Sequence, residues 1–417
     1  MDKESQAQDH STNNATPQST LRRTMQIFAV SAKLGLTSFG GPVAHLGYFH
    51  GEYVKKRKWL DERSYAELVA LCQFLPGPAS SQVGMGIGLS RGGLAGAIAA
   101  WIGFTMPSVI FLVVFGLLMH GMDVSNAAWL HGLKLTAVAI VAQAIWSMGT
   151  KLAAGRSRAT IAVLATAATL LWQNAFSQIL IIATAGIVGL WLFRESSPHD
   201  EIQPPSKSES SFSIHISRKW GLFCLSLFFG LLALLPVLSR LWPTSGMQLF
   251  DSFYRAGSLV FGGGHVVLPL LQSEVVPNGW VSESDFLAGY GATQAVPGPL
   301  FTFASYLGTV MSGIPGACIA TIAIFLPAFL LIVGFLPFWN VLRQHSKVQS
   351  ALQGINAAVV GILLAALYNP IWTSSVHDAS DFILALVLFA ILVYWKLPLW
   401  TAVIAGAAGG LLLGMIG

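Results

Sequence analysis

Long apolar stretches alternate with short polar segments along this 417-residue chain. The longest stretches match the roughly 20 apolar residues that a helix needs to cross a bilayer. Five of them contain no Asp, Glu, Lys or Arg: 93–119, 220–239, 315–339, 351–369 and 397–417. The pattern predicts an all-α protein that crosses a membrane several times.

Other apolar stretches are interrupted by glycine and proline: 25–50, 65–90, 247–272 and 289–310. Proline breaks a helix interior, and glycine permits unusual backbone angles. Such breaks are tolerated at membrane depth only where the backbone is buried or lines a cavity. We therefore expect broken or re-entrant helices here, with four continuous helices after each pair and roughly nine to 13 crossings in total.

The chain repeats itself once. Landmarks recur in the same order in both halves: Phe39-Gly-Gly-Pro as Phe261-Gly-Gly-Gly, Trp59 as Trp280, Gln73-Phe-Leu-Pro-Gly-Pro as Gln294-Ala-Val-Pro-Gly-Pro, and Gly93-x-x-Gly96 as Gly313-x-x-Gly316. We divide the chain into five segments. A disordered polar tail (1–24) precedes the first repeat (25–193). A cytoplasmic linker (194–219), a connecting transmembrane helix without a mate in the first half (220–242) and the second repeat (243–417) follow.

Loop charges predict that the two repeats are inverted. The loop 51–63 has five basic residues, whereas its mate, 273–285, has none and carries three acids. The other loop pairs also reverse their basic bias, and basic loops stay on the cytoplasmic side. Since inverted repeats are a recurring design of secondary transporters, we expect a transporter with its substrate site at the interface of the repeats. The N-terminus is expected to be cytoplasmic and the C-terminus periplasmic.

The amino-acid composition of the chain argues against several classes of protein function. Only 10% of the residues are charged and 54% are hydrophobic, whereas soluble domains carry roughly 25% charged residues. The net charge of +5 is attributed to cytoplasmic loops, not to nucleic-acid binding. The three cysteines form no metal-binding or redox pair, and no phosphate-binding loop, HExxH motif or nucleophile elbow occurs. We expect no enzyme activity, no metal and no cofactor.

The Pro-Gly-Pro triplets are the first candidate binding elements. A half-helix that starts after such a break points free N–H groups, worth roughly half a positive charge, at whatever lies there. Small hydroxyls beside this N-terminus would suit a tetrahedral oxyanion, although simple packing kinks would show the same pattern. The predicted binding residues are Gln73, Pro76, Gly77, Pro78, Ser80 and Ser81, with Gln294, Pro297, Gly298, Pro299 and Thr302 in the second half.

The Phe-Gly-Gly segments are the second candidate, because consecutive glycines let a backbone approach a ligand or another helix closely. They comprise Phe39, Gly40 and Gly41 in the first half and Phe261, Gly262 and Gly263 in the second. A histidine follows each segment, His45 and His265. Either histidine could relay protons or simply pack.

Lys33 and Arg255 each stand six residues before the repeated phenylalanine. Cations within a membrane segment are costly and therefore indicate function. We expect the two to flank one dianion. The alternative is that they are interfacial anchors whose side chains reach the membrane surface.

Thr37-Ser-Phe-Gly-Gly-Pro-x-x-His45, Trp59, the Gln73-x-x-Pro-Gly-Pro78 triplet and the glycine-rich stretch 84–96 together resemble the chromate ion transporter family. The resemblance covers residues 25–417 and implies efflux of chromate across the bacterial cytoplasmic membrane, with chromate resistance and sulfate as a chemical mimic. The second half departs from the motif, since Gly264 replaces the proline and Ala295-Val296 replaces Phe74-Leu75.

Three alternatives to chromate export stay open. They are a transporter or importer of sulfate or another inorganic anion, a passive anion channel, and a membrane-bound chromate reductase. The last would need a redox cofactor site that the sequence does not show. A homo-oligomer is compatible with the sequence but has no specific support in it.

Overall fold

The computed structural model describes residues 20–120, 128–172, 175–193, 217–261, 264–339 and 346–416. Within these residues the chain forms helices and no strand, which confirms the all-α prediction. The α-helices are α1 (Thr20–Thr37), α2 (Gly41–Phe49), α3 (Glu62–Phe74), α4 (Ala79–His120), α5 (Ala128–Leu152), α6 (Arg156–Leu171), α7 (Ala175–Leu192), α8 (Arg218–Leu241), α9 (Ser245–Leu259), α10 (Val267–Val275), α11 (Glu283–Ala295), α12 (Phe303–Phe335), α13 (Ser346–Ala366), α14 (Ala379–Val393) and α15 (Leu399–Ile416).

Helices α4 and α12 are each two antiparallel arms joined by a sharp turn. In α4 the turn lies at Gly92 and Gly93, and Gly93 has a φ of 62°. Gly88 packs directly against Gly96 across this turn, although the same two residues would be about 12 Å apart in a straight helix. In α12, Gly313 (φ 64°) makes the equivalent turn. The first arm of each helix therefore returns to the side from which the preceding helix came.

Each half thus begins with two re-entrant hairpins. The first consists of α1 and α2, or α9 and α10 in the second half, and its tip is the Phe-Gly-Gly break. The second consists of α3 and the first arm of α4, or α11 and the first arm of α12, and its tip is the Pro-Gly-Pro triplet. The second arm of α4 or α12 and the three helices after it then cross the bundle. With the connecting helix α8, the described residues contain nine such continuous helical segments and four hairpins.

The two halves are intertwined. Helix α5 of the first half packs on α14 and α15 of the second, and α13 of the second half packs on α6 and α7 of the first. The second arms of α4 and α12 pack against each other at the centre. Glycines permit the closest crossings, because Gly132 and Gly354 each approach the backbone of a helix from the other half. Neither half is an independent packing unit.

Helix ends that meet in space agree with inverted repeats. The Arg158 side chain donates a hydrogen bond to Gln353 Oε1 at 3.0 Å, and both residues belong to segments predicted to face the cytoplasm. His131 Nε2 lies 2.6 Å from Asp381 Oδ1, where two predicted periplasmic ends meet.

The two sides of the bundle are named by their loop charges. We call the side with the starts of α1, α6, α8 and α13 the basic face, and the side with the starts of α5, α9, α11 and α14 the acidic face.

Apolar side chains cover the perimeter of the bundle, as a lipid-facing surface requires. Five helical stretches are long and apolar enough to cross a membrane, and three shorter apolar helices accompany them. Helix α8 has exposed Trp220, Phe223 and Phe229. Two predicted boundaries shift, since α1 begins at Thr20 inside the predicted tail and α8 begins at Arg218 inside the predicted linker. The rest of both segments lies outside the described residues.

Candidate functional site

The four hairpin tips meet in the middle of the bundle, and each half holds the tip of the other. The Gly77 N–H donates to the Val260 carbonyl oxygen at 2.7 Å. The Gly298 N–H donates to the Ser38 carbonyl oxygen at 3.0 Å. Val260 and Ser38 each directly precede a repeated phenylalanine. Each Pro-Gly-Pro triplet therefore binds the Phe-Gly-Gly tip of the opposite repeat.

Both central glycines of the triplets are required by geometry. Gly77 has a φ of 113° and Gly298 a φ of 108°, a region that residues with a Cβ rarely adopt. A Cβ on Gly77 would lie 3.2 Å from the Ala328 methyl, and one on Gly298 would lie 2.7 Å from Ser108 Oγ. The triplets therefore allow the tips to press against the second arms of α12 and α4.

Four helix N-termini converge on these tips. They belong to α2, α4, α10 and the 3₁₀ turn Leu300–Thr302 that leads into α12. No side chain caps the starts of α2, α10 or the 3₁₀ turn. Free N–H groups and the helix dipoles give the centre a positive potential without a cationic side chain. This arrangement can attract and bind an anion.

A small central cavity lies between the tips. Its volume of about 20 Å³ is room for roughly one water molecule, and less than a tetrahedral oxyanion needs. The cavity is therefore too small for such an anion in this conformation. Its lining combines the first Phe-Gly-Gly tip with the second Pro-Gly-Pro region: Gly40, Gly41, Pro42, His265, Thr293, Gln294, Val296, Gly298, Leu300 and Leu399.

The two predicted histidines are buried but have different partners. His265 Nδ1 lies 2.9 Å from the Tyr290 hydroxyl, and the His265 ring lines the central cavity. His45 Nδ1 lies 3.3 Å from Ser80 Oγ, and its Nε2 has no partner among the described residues. The His45 ring packs edge-on against Phe104. Of the two histidines, His265 is the one that lines the central cavity described above.

The remaining predicted binding residues differ in their burial and in their hydrogen bonds. Gln294 is buried in the cavity wall and its Nε2 has no hydrogen-bond partner within the described part of the chain, whereas its mate Gln73 is exposed. Ser81 Oγ is also buried and finds no partner among those residues. Thr302 donates its hydroxyl to the Pro299 carbonyl oxygen at 2.7 Å, which leaves that hydroxyl proton committed within its own turn. Five further predicted residues belong to the tips and shape their backbone: Phe39, Pro76, Pro78, Phe261 and Pro297. Gly262 and Gly263 lie outside the described residues.

Gln82 is a central residue that the sequence argument missed. It is fully buried, and its Nε2 donates to the Pro76 carbonyl oxygen at 2.9 Å. This bond closes the first triplet onto its own helix and leaves Gln82 Oε1 without a partner among the described residues. Its position four residues after Pro78, one helical turn into α4, was the available signal.

Lys33 and Arg255 each form an ion pair within their own hairpin. Lys33 Nζ lies 3.3 Å from Glu52 Oε2, and Arg255 Nη2 lies 2.9 Å from Glu274 Oε2. Arg255 Nε also contacts Asp251 Oδ1 at 3.2 Å. Each cation is thus held by a carboxylate of its own hairpin. The expectation of one dianion between the two cations has no support in this geometry.

Comparisons with known proteins follow the same division into halves. A family model described as chromate transporter matches residues 25–190 and 247–411. A probable chromate transport protein of Synechococcus elongatus is 29% identical over 390 residues, which cover 91% of each chain. A chromate transport protein of Cupriavidus metallidurans is 27% identical over 402 residues, 95% of this chain and 93% of its own. An uncharacterized transporter of Bacillus subtilis is 36% identical over 115 residues, 27% of this chain and 58% of its own. No solved structure shows a significant match.

Proposed function

Because this chain belongs to the chromate transporter family, we propose that it is a secondary transporter that exports chromate across the bacterial cytoplasmic membrane and so confers chromate resistance. The observation that carries this proposal is the central meeting of four helix N-termini around a small cavity between inverted repeats. Relatives of nearly equal length are described as chromate transport proteins. A site formed by helix dipoles and N–H groups fits a small oxyanion.

The small central cavity implies that the hairpin tips must move before an oxyanion can bind there. An oxyanion would enter when the hairpin tips of one repeat move away from those of the other. Among the described residues, each Pro-Gly-Pro tip donates one backbone hydrogen bond to the opposite repeat, from Gly77 or from Gly298. One such bond contributes only about 1 kcal/mol, so that the cost of separating the tips would lie mainly in their packing against Ala328 and Ser108. Alternating separation on the two faces would carry the anion across.

The charged side chains around the hairpins differ between the basic face and the acidic face. On the basic face, Lys33, Lys56 and Arg57 surround the single carboxylate of Glu52 at 3.3, 3.7 and 2.8 Å. On the acidic face, two carboxylates surround the single guanidinium of Arg255. The basic face would concentrate dianions and the acidic face would repel them. With the basic face in the cytoplasm, the entrance used for export would be the one that concentrates the anion.

Everted membrane vesicles test this function. Radiolabelled chromate should accumulate inside vesicles that contain the protein, above the level of vesicles from cells with an empty vector. Voltage and pH gradients are imposed separately, to identify the driving force. Excess sulfate at the basic face should reduce uptake, because sulfate has the same charge and shape as chromate. Uptake equal to the empty-vector control would refute chromate transport. Flux that never exceeds the electrochemical gradient would indicate a passive channel instead.

A further inference from the structure

Two arginines meet on the basic face, where the start of α1 packs on the turn between the two arms of α4. Arg23 Nη1 donates a hydrogen bond to the Arg91 carbonyl oxygen at 3.3 Å. Beside this contact, a Cβ on Gly92 would lie 3.0 Å from Ile27 Cδ1, so that the two helices are closely packed there. We call Arg23 and Arg91 the arginine pair. Arg23 is exposed and Arg91 is half-buried, so that both side chains can be reached from outside the bundle.

The arginine pair has no acidic partner in the described part of the chain. Neither arginine forms a salt bridge there. By contrast, the neighbouring Arg57 is neutralised, since its Nε lies 2.8 Å from Glu52 Oε1. The two guanidinium groups of the arginine pair are close enough to repel each other. An anion from outside the chain would stabilise two such charges.

The Trp59 ring orients Arg91 without neutralising it. Arg91 Cζ lies 4.7 Å from the centroid of the Trp59 ring, and Tyr53 stacks on the same ring with 5.3 Å between centroids. A cation–π contact of this kind holds a guanidinium in place but leaves its charge and most of its N–H donors available. Tryptophan is also enriched at the level of the lipid headgroups. The arginine pair is therefore positioned at the border between the polar face and the membrane.

Exposed apolar residues follow the arginine pair along both helices. They are Met25 and Phe28 on α1, and Leu94 and Ile98 on the second arm of α4, and each is between 44% and 62% exposed. At a rise of about 1.5 Å per residue, Phe28 lies about 7.5 Å further along the helix axis than Arg23. Positive charge at the rim with apolar surface deeper in the membrane matches a phospholipid, which has a charged headgroup above its acyl chains.

The second repeat lacks this arrangement. Ser245 occupies the position of Arg23, 16 residues before the repeated phenylalanine, and Met311 occupies the position of Arg91, two residues before the turn glycine. Helices α9 and α12 nevertheless pack on each other as α1 and α4 do. The packing of these helices therefore does not require the two arginines.

We propose that the arginine pair binds the phosphate group of an anionic phospholipid in the leaflet at the basic face. Each guanidinium can donate two N–H groups to phosphate oxygens, and the acyl chains lie along the exposed apolar residues of α1 and α4. A headgroup with its own ammonium group would bring a third cation to the site. Phosphatidylglycerol should therefore bind better than phosphatidylethanolamine. The bound lipid links the two hairpins of the first repeat, whichever anion the protein transports.

Thermal unfolding of the purified full chain in detergent tests the site. Phosphatidylglycerol, phosphatidylethanolamine with the same acyl chains, and inorganic phosphate are added separately to delipidated protein. Only phosphatidylglycerol should raise the unfolding midpoint. Arg23→Gln combined with Arg91→Gln should raise the mole fraction of phosphatidylglycerol needed for half of this shift at least about tenfold, because each basic residue near anionic lipid contributes a factor of roughly five.

Lys151→Gln combined with Arg156→Gln is the matched control, because it removes two exposed cations from the same face at a distance from α1. It should leave the response to phosphatidylglycerol unchanged. Each shift is measured from the lipid-free midpoint of the same variant, and Arg23→Gln alone should weaken the response about fivefold. An equal shift with phosphatidylethanolamine, or an equal loss of response in the control, would overturn the inference. Equal stabilisation by inorganic phosphate would indicate a site for soluble anions and would also overturn it.

Discussion

Residues 19 positions apart form the same ion pair in both halves, Lys33 with Glu52 and Arg255 with Glu274. Their surroundings differ. The Lys33 side chain is 52% exposed, and Glu52 has two further cationic partners. The Arg255 side chain is only 14% exposed and is shared by two carboxylates. One backbone design therefore holds an excess of positive charge on the basic face and an excess of negative charge on the acidic face.

A few substitutions between the repeats produce this difference. Ala29 occupies the position of Asp251, ten residues before the repeated phenylalanine, and Asn278 occupies the position of Lys56. The hairpin geometry survives these changes because the central ion pair and the glycine break are kept. The shared elements therefore build the same hairpin in both repeats, while the unshared charges make the two faces electrostatically different.

The strongest test of the comparison between the two repeats is to measure on which side of the membrane an equivalent turn of each repeat lies. Arg57→Cys and Asn278→Cys, each in a chain without native cysteines, stand near the same turn of opposite repeats. A thiol reagent that cannot cross the membrane should label Arg57→Cys only from the inside of cells and Asn278→Cys only from the outside, because inverted repeats place equivalent turns on opposite faces. Labelling of both from one side would leave parallel repeats as the only arrangement.

The next largest effect is expected at the hairpin tips. Gly298→Ala should lower chromate uptake at least about tenfold, because a Cβ at a φ of 108° is strained and would lie 2.7 Å from Ser108 Oγ. Gly77→Ala should be nearly as harmful, since its Cβ would press on the Ala328 methyl at 3.2 Å. Uptake is normalised to the amount of inserted protein.

Gly47→Ala provides the control for the tip variants, because Gly47 lies in the same bundle with open space around its Cβ position. Near-parental uptake is expected from it. If Gly298→Ala transports as well as Gly47→Ala, the contact between the two tips is not needed for transport.

Arg255→Gln should destabilise the protein far more than Lys33→Gln. Removal of Arg255 leaves Asp251 and Glu274 buried without their cation, a change that costs about 3–5 kcal/mol in other proteins. Removal of half-exposed Lys33 leaves Glu52 paired with Arg57, and such exposed pairs contribute about 0–1 kcal/mol. Thermal unfolding in detergent measures the difference. Arg255→Gln combined with Glu274→Gln should recover part of the loss, whereas equal effects of the two single changes would remove the asymmetry between the halves.

The helix pattern and the duplicated motifs predict most of the fold from sequence. Uncharged stretches mark the crossings, and the Phe-Gly-Gly and Pro-Gly-Pro breaks mark the tips of the re-entrant hairpins, because glycine and proline act locally on the backbone. The reversed loop charges predict the inversion, since orientation depends on the sign of flanking charges. Each of these signals is contained within a short segment.

The candidate site is predicted only in part because its geometry depends on contacts between distant segments. The sequence does not show that the Gly77 N–H reaches Val260, or that Lys33 is neutralised by Glu52. The spacing of 19 residues between cation and acid is repeated in both halves and could have revealed the ion pairs.

The smallest expected effect concerns the rate at which anions reach the basic face. Lys33→Gln combined with Lys56→Gln removes two exposed cations while Arg57 still pairs with Glu52 at 2.8 Å. At low ionic strength, chromate uptake at subsaturating concentration should fall about two- to threefold, because the potential that concentrates dianions at the entrance is weaker. The deficit should vanish near 1 M salt, where charges are screened within about 3 Å. Asn278→Lys, the matched change on the acidic face, should leave uptake from the basic face unchanged. A deficit that persists at high salt would mean that Lys33 or Lys56 contacts the anion directly, and the difference in charge between the two faces would then not act through the field alone.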